Sequence, residues 1–151
     1  MGVQAQRVTL AEFERLALLP ENVDRRLEYV GGEIVEVVSN NYASMVAARI
    51  VARLVLCVDE QGAGYVTGAD GGYSVGQDRY IPDAAFISKK KQPDPPHHTW
   101  NPHPPHLAVE VLSPTDEPEV LRLKIASYLS AGSIVWVVNP DKRQVEVYTP
   151  G

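Results

Sequence analysis

Cysteine is nearly absent from this chain, since only Cys57 among 151 residues carries a thiol. A single thiol cannot form an internal disulfide, which excludes the disulfide-rich secreted domains and fits a reducing compartment. We also find no charged-then-apolar leader and no apolar run long enough to span a bilayer. We therefore expect a cytoplasmic protein without a membrane segment, with Cys57 packed in the core of an apolar helix.

A basic surplus is missing as well. The 14 Lys and Arg residues are outnumbered by 19 Asp and Glu residues, which gives a net charge of −5. This balance weighs against a general nucleic-acid binder, whose surface is normally basic. A carboxylate metal site is itself acidic, however, so a nucleic-acid substrate remains open. The apolar share of 44% predicts a globular chain, and its length fits one domain.

The order of capping, turn and periodicity signals predicts an α/β protein. Thr9 with Glu12 forms a capping-box pattern for a short N-terminal helix. The Gly31-Gly32 pair between two β-rich runs predicts a tight hairpin. One mixed sheet with helices on its faces is the architecture that this order favours. The further predicted elements are a helix over 43–60, short strands over 62–76, strands over 81–88 and 106–113, a helix over 116–131 and a hairpin over 133–149.

Two carboxylates lie on strand positions that point the same way. Side chains alternate between the faces of a strand, so Asp83 shares a face with Ala85, and Glu110 shares one with Ala108. Glu110 has apolar neighbours, and a buried carboxylate needs a partner or a raised pKa. If the two strands pair, both acids converge where a hard cation such as Mg²⁺ or Mn²⁺ fits. A strand-entry turn at Asp83 and a solvent-facing edge at Glu110 are the alternative interpretations.

A recognisable pattern is formed by Pro82-Asp83, the segment AVEVLSP at 108–114, and Lys124 with Tyr128 in the following helix. In this pattern the chain resembles the Uma-type restriction endonucleases of the PD-(D/E)XK nuclease superfamily. The resemblance covers nearly the whole chain. It implies a restriction-endonuclease-like fold, with a mixed β-sheet core flanked by helices. It also implies a single domain over 1–151 that lacks a C-terminal extension found in relatives.

The resemblance implies hydrolysis of phosphodiester bonds in nucleic acid, with DNA favoured, by a homodimer that needs Mg²⁺ or Mn²⁺. Asp83 and Glu110 match the motif acids, so both are expected to be catalytic and to bind the metal. Glu33 matches the acid that follows the glycine turn and is expected to be a further metal ligand. Leu112 occupies the position of the superfamily's lysine. Lys124 matches a helical lysine of the family and is expected to be catalytic, although a solvated helix face is the alternative.

Basic residues close in sequence to these acids are expected to contact substrate phosphates. They are Lys89-Lys90-Lys91, which follow the strand of Asp83, and Arg122 in the helix of Lys124. Lysine side chains bind phosphate through charge and carry no base specificity. A solvated loop is the alternative for the lysine run.

Two functions other than an active nuclease remain open. The family often has a histidine where this chain has Tyr42-Ala43-Ser44, which leaves an inactive nuclease fold that acts through protein partners. A zinc, nickel or copper module is the second, because imidazole is a common ligand of these metals and every histidine lies in one proline-rich loop. An active nuclease should need Mg²⁺ or Mn²⁺, whereas a zinc module should bind zinc without cleavage. The histidines are His97, His98, His103 and His106.

Overall fold

The computed structural model describes residues 7–151, which form helices packed against β-sheets. In chain order, the elements are α1 (Leu10–Ala17), a 3₁₀ turn (Pro20–Asn22), β1 (Leu27–Val30), β2 (Glu33–Glu36), α2 (Asn41–Gln61), β3 (Gly64–Thr67), β4 (Gly72–Val75), β5 (Asp78–Tyr80), β6 (Ala84–Ser88), β7 (Trp100–Asn101), β8 (Leu107–Val111), α3 (Pro118–Ser130), β9 (Ile134–Asn139) and β10 (Gln144–Tyr148).

The helix ends follow the capping residues seen in the sequence. The Thr9 hydroxyl accepts a hydrogen bond from the Glu12 backbone N–H, and the Glu12 carboxylate accepts one from the Thr9 backbone N–H. At the start of α2, the Asn40 side chain accepts from the Ala43 backbone N–H. Gly62 ends α2 in the left-handed conformation, with φ 57°, which glycine adopts without a steric penalty. The predicted helices are confirmed.

The strands form two mixed sheets rather than the one sheet that we expected. Sheet A has the order β2-β1-β5-β4-β7, and sheet B has the order β10-β9-β8-β6-β3. The predicted strand over 81–88 is divided, because β5 ends at Tyr80 in sheet A and β6 begins at Ala84 in sheet B. Pro82 lies between them and has no N–H to donate to a ladder. The α/β class with a mixed-sheet core is confirmed, and the number of sheets is corrected.

Sheet B is covered on both faces, which makes β8 a buried central strand. One face, with Ala85 and Ala108, packs on α3 and on residues of sheet A. The other face, with Leu107, Val109 and Val111, packs under α2. All five residues of β8 are buried. The prediction of a central strand beneath a helix is therefore confirmed, and Glu110 lies on the face opposite to α2.

Helix α2 differs from two expectations. Cys57 is exposed rather than buried, because only the stripe with Ala43, Ala47 and Val58 is fully covered. Within residues 7–151, α2 is also one helix that is long and apolar enough to cross a membrane, judged by length and composition alone. The expectation that no such segment exists is wrong on that measure.

Candidate active site

Asp83, just before β6, lies close to Glu110 of the neighbouring strand β8. β6 and β8 pair antiparallel, with Ala85 opposite Ala108. Asp83 immediately precedes β6, and its Oδ2 accepts a hydrogen bond from the backbone N–H of Val111, the residue after Glu110, at 2.7 Å. The Asp83 backbone N–H donates to the Val109 carbonyl of β8 at 3.0 Å. Both carboxylates line one cavity of about 410 Å³.

Lys124 of α3 is buried in this cavity wall, so the solvated-helix alternative is wrong. Its Nζ lies 2.9 Å from Glu110 Oε1. The same Nζ donates to both carboxylate oxygens of Glu28, at 3.0 and 3.1 Å. The Tyr128 hydroxyl, one helical turn further along α3, donates to Glu110 Oε1 at 3.1 Å. Lys124 is therefore held between two carboxylates that come from different sheets.

Glu28 is a site residue that the sequence analysis missed. Its side chain is 2% exposed, and its Oε2 also accepts a hydrogen bond from the Ile81 backbone N–H at 2.6 Å. The sequence signal existed, because Glu28 stands within Leu27–Val30, a strand whose other residues are apolar. The same reasoning that selected Glu110 applies to Glu28.

Arg26 is the second missed residue, and it lies on the other side of Asp83. Its Nη2 is 3.8 Å from Asp83 Oδ1, while Asp83 Oδ2 accepts from the Val111 backbone N–H at 2.7 Å. The buried Arg26 Nε has no hydrogen-bond partner within residues 7–151. Arg26 is thus close to Asp83 without a tight ion pair, and its buried Nε donor is available to a further partner.

Burial and mutual repulsion control the protonation of the acids. Burial, together with the charge of Glu110, raises the pKa of Asp83 to about 6, and the Val111 amide only partly offsets this. Burial also raises the pKa of Glu110. Burial alone would lower the pKa of Lys124, but the charges of Glu110 and Glu28 outweigh it and the net pKa is raised. Lys124 therefore stays cationic, and three carboxylates share two cationic side chains.

The donors at this site suit a hard cation that keeps part of its water shell. Glu33, at the start of β2, lines the same cavity and is half-buried. Across residues 7–151, no group of three or more His, Cys, Asp and Glu side chains could hold a metal ion. The hydrogen bonds found there for the Glu110 side chain use Oε1, which leaves Oε2 without a bonded donor among those residues. Mg²⁺ commonly binds through one or two carboxylates plus water and substrate phosphate.

The lysine run expected to contact substrate is not brought to these acids. Asp83 precedes β6 and Lys89-Lys90-Lys91 follow it, so the length of the strand, roughly 17 Å, separates them. Arg122 is exposed and donates to Glu119 at 2.9 Å. Sequence proximity misled here because a strand carries its two ends apart.

The histidines do not converge on a common point. His106 Nδ1 accepts from the Ser88 backbone N–H at 3.3 Å, and its ring packs beside Phe86. His97, His98 and His103 are exposed. No metal-binding group of three side chains includes any of them within the described part of the chain. The geometry therefore gives no support to the transition-metal module.

Two mixed sheets, flanking helices and a pair of carboxylates in one cavity define a restriction-endonuclease-like α/β protein. A family model for Uma2, described as "Putative restriction endonuclease", matches residues 10–151. The chain belongs to this family, and the resemblance identified from its sequence is confirmed.

A solved structure agrees with this assignment. It is the crystal structure of a "putative nuclease belonging to DUF820" from Anabaena variabilis ATCC 29413, with a TM-score of 0.81 and 23% sequence identity. The match covers 95% of this chain and 80% of that chain. At this identity, the likeness shows the fold. No protein with curated annotation matches the chain. The family and the structural likeness together indicate a nuclease of the restriction-endonuclease type.

Proposed function

We propose that this protein is a divalent-metal-dependent nuclease that hydrolyses phosphodiester bonds in nucleic acid, with DNA as the favoured substrate and the cytoplasm as the place of action. Asp83 and Glu110 are the proposed metal ligands and catalytic acids, with Mg²⁺ or Mn²⁺ as the cofactor. Glu33 is a further proposed ligand, and Lys124 is the proposed catalytic cation. The observation that carries this proposal is a single cavity lined by Asp83, Glu110 and the buried Lys124, whose Nζ lies 2.9 Å from Glu110 Oε1.

The charges of the site favour a bound cation. Asp83 and Glu110 repel each other, and this repulsion contributes to the raised pKa of Asp83. Their oxygens are hard donors of the kind that Mg²⁺ and Mn²⁺ prefer. A bound divalent cation supplies Lewis-acid activation of the phosphate and of a water molecule. Binding would relieve the repulsion that the two carboxylates otherwise impose on the fold.

Lys124 is positioned to act on the negative charge of the reacting phosphate. Glu28 and Glu110 hold its ammonium at about hydrogen-bond distance, at 3.0 and 2.9 Å. A donor that is already oriented and shielded from solvent stabilises developing charge without reorganising during the reaction. Phosphoryl transfer depends mainly on such positioning and electrostatic stabilisation. Tyr128 orients Glu110 from the same helix.

Isosteric substitutions of the two acids test this function. Asp83→Asn and Glu110→Gln keep the side-chain shape but remove the charge that holds a hard cation. We expect each variant to lose most Mg²⁺- or Mn²⁺-dependent cleavage of single-stranded, duplex and structured DNA and RNA, while circular dichroism shows an intact fold. Asp141→Asn, in the exposed β9–β10 turn, makes the same chemical change away from the site and should keep wild-type activity.

Two results would count against the proposal. Cleavage that survives both acid substitutions would separate the activity from this site. Wild-type protein that cleaves none of these substrates with either metal would favour the inactive nuclease fold instead.

A further inference from the structure

The outer face of α2 is apolar and no element within residues 7–151 covers it. Leu56 is 66% exposed and Met45 is 44% exposed. Ala52 is also exposed and lies between them. Spacings of seven and four residues place these three side chains on one side of the helix. They lie opposite the inner stripe, with Ala43 and Ala47, that packs on sheet B.

Charged residues along one flank of this apolar stripe are segregated by sign. Arg49, Arg53 and Glu60 lie close to one line along the helix, because they are separated by four and seven residues. The two arginines lie near the middle of α2, and Glu60 lies in its last turn. None of the three forms an ion pair within the described residues. An acid beside the negative end of the helix dipole is unfavourable in an isolated helix.

We propose that this face of α2 is the interface of a homodimer, in which α2 packs antiparallel against α2 of a second copy. An antiparallel partner reverses the order of the charges. With the two-fold axis between Val55 and Leu56, the C-terminal halves of the two helices overlap, and Met45 lies beyond the overlap. The partner's Glu60 then falls opposite position 51, between Arg49 and Arg53. Two-fold symmetry forms this contact twice. The two Leu56 side chains meet near the axis, and the small Ala52 permits close approach of the helices.

A second copy explains the face better than a lipid bilayer does. A membrane-spanning α2 would place Arg49 and Arg53 near the bilayer centre, where each charge is costly. It would also strip the inner stripe of α2 from the Val109 face of sheet B, which is fully buried there. In a homodimer, Arg49 and Arg53 of one copy can pair with Glu60 of the other copy. A bilayer interior offers no such partner.

The proposed interface is separate from the proposed active site. Glu110 lies on the face of sheet B that faces α3, whereas α2 covers the opposite face. Dimerisation through α2 would therefore leave both cavities accessible. Variants at the interface should keep a cavity that binds metal and substrate, so a test of the dimer does not depend on the nuclease being active.

A charge-swap pair tests the interface. The variant R49E/R53E makes the flank acidic throughout, and the variant D59R/E60R makes the charges of α2 basic throughout. Wild-type protein at micromolar concentration should sediment with twice the mass of one chain, and each variant alone should sediment as a monomer. A one-to-one mixture of the variants should restore the dimer mass, because opposite charges then face each other. K142E/R143E, in the exposed β9–β10 turn, should remain a dimer.

The mixing experiment also shows that the variants are folded, because two unfolded variants would not restore a defined dimer. Leu56→Asp should give a folded monomer, because it places a carboxylate at the apolar centre of the interface. Wild-type protein that stays monomeric over the whole micromolar range would overturn the proposal. Charge variants that dimerise like the wild type, or wild-type monomers that bind anionic or neutral liposomes through α2, would overturn it as well.

Discussion

Lys124 is the residue whose surroundings most constrain the site. Its side chain is 8% exposed, and the side chains of its partners Glu28 and Glu110 are 2% and 11% exposed. A buried ion pair often adds little net stability, but removal of one partner leaves an uncompensated charge in a medium of low dielectric. Lys124 thus joins a structural role, which the contacts show, to the catalytic role that we propose.

We predict that Lys124→Met lowers the free energy of unfolding by about 3–5 kcal/mol, because it leaves Glu28 and Glu110 buried without their cation. Urea denaturation measures the change. The double variant Glu28→Gln/Lys124→Met should lose less than the sum of the two single changes, since the two side chains are coupled. Arg122→Met is the matched control on the same helix; its exposed pair with Glu119 contributes at most about 1 kcal/mol. An equal loss of unfolding free energy in Lys124→Met and Arg122→Met would contradict the buried position of Lys124 between Glu28 and Glu110.

Asp83 should make stability depend on pH. Its pKa rises from an ordinary value of 3.8 to about 6, so between these values the folded protein binds a proton that the unfolded chain has lost. The free energy of unfolding should therefore fall as pH rises through this window, on the order of 2–3 kcal/mol in total, and stay low above it. Asp83→Asn should flatten this slope and raise the melting temperature at neutral pH without metal.

We would check this slope by recording melting temperatures from about pH 4 to about pH 8, on both sides of the shifted pKa. The proteins are the wild type, Asp83→Asn and the exposed control Asp141→Asn. Mn²⁺ competes with the same proton, so its stabilising effect on the wild type should grow above pH 6 and vanish in Asp83→Asn. If the melting temperatures of wild type and Asp83→Asn depend on pH in the same way, a group other than Asp83 controls the pH dependence of stability.

At the scale of elements, β8 is the strand on which both cores depend. Its Val109 is fully buried and packs under α2, while Glu110 points to the opposite face. The alternation of a single strand thus supplies both the apolar anchor for α2 and one acid of the candidate site. A change of register by one residue would exchange these two faces.

Val109→Ala should lower the free energy of unfolding by about 1–3 kcal/mol, because it removes two buried methyl groups and leaves a cavity. Val147→Ala on β10 is the matched control, since Val147 is 59% exposed, and it should change stability by less than about 0.5 kcal/mol. Chemical denaturation gives both values. A loss at Val109 no larger than at Val147 would contradict the central position of β8.

The elements also show where local reasoning works and where it stops. The capping box at Thr9 and the hairpin at Gly31-Gly32 were predictable because neighbouring residues decide them; both glycines have positive φ, 58° and 91°. The division of the predicted 81–88 strand between two sheets was not predictable from neighbouring residues. Ile81 and Ala84 both look like strand residues locally, and only their distant partners, β1 and β8, decide which sheet each side of Pro82 joins.

At the scale of the whole molecule, the two sheets share one core. The shared cluster joins both sheets and α3, and its members include Val30, Tyr73 and Tyr80 of sheet A with Ala85, Ala108 and Val135 of sheet B and Tyr128 of α3. The buried Glu28–Lys124 pair adds a polar link between β1 and α3. We propose on this basis that the chain acts as a single domain, as its sequence led us to expect.

The two tryptophans allow a direct test, because Trp100 lies in β7 of sheet A and Trp136 in β9 of sheet B. Each single-tryptophan variant, Trp100→Phe and Trp136→Phe, reports on one sheet by fluorescence. If the shared core makes the fold cooperative, the fluorescence midpoint of each variant should coincide with its own midpoint by circular dichroism. Separate midpoints for the two probes within one variant would show that the sheets unfold independently.

The sequence by itself determined the helices and hairpins, the burial of β8, and Asp83 and Glu110 as candidate site residues. Each of these follows from the spacing of apolar residues, a helix cap or a turn motif, and a few neighbouring residues are enough to define any of the three. Only the tertiary structure decided that Glu28 and Arg26 join the site, that Lys89-Lys90-Lys91 do not, and that the chain forms two sheets. Those outcomes depend on contacts between residues far apart in sequence, such as Glu28 and Lys124, which are 96 positions apart. The apolar strand around Glu28 indicated a buried carboxylate, but only the fold shows which cation it meets.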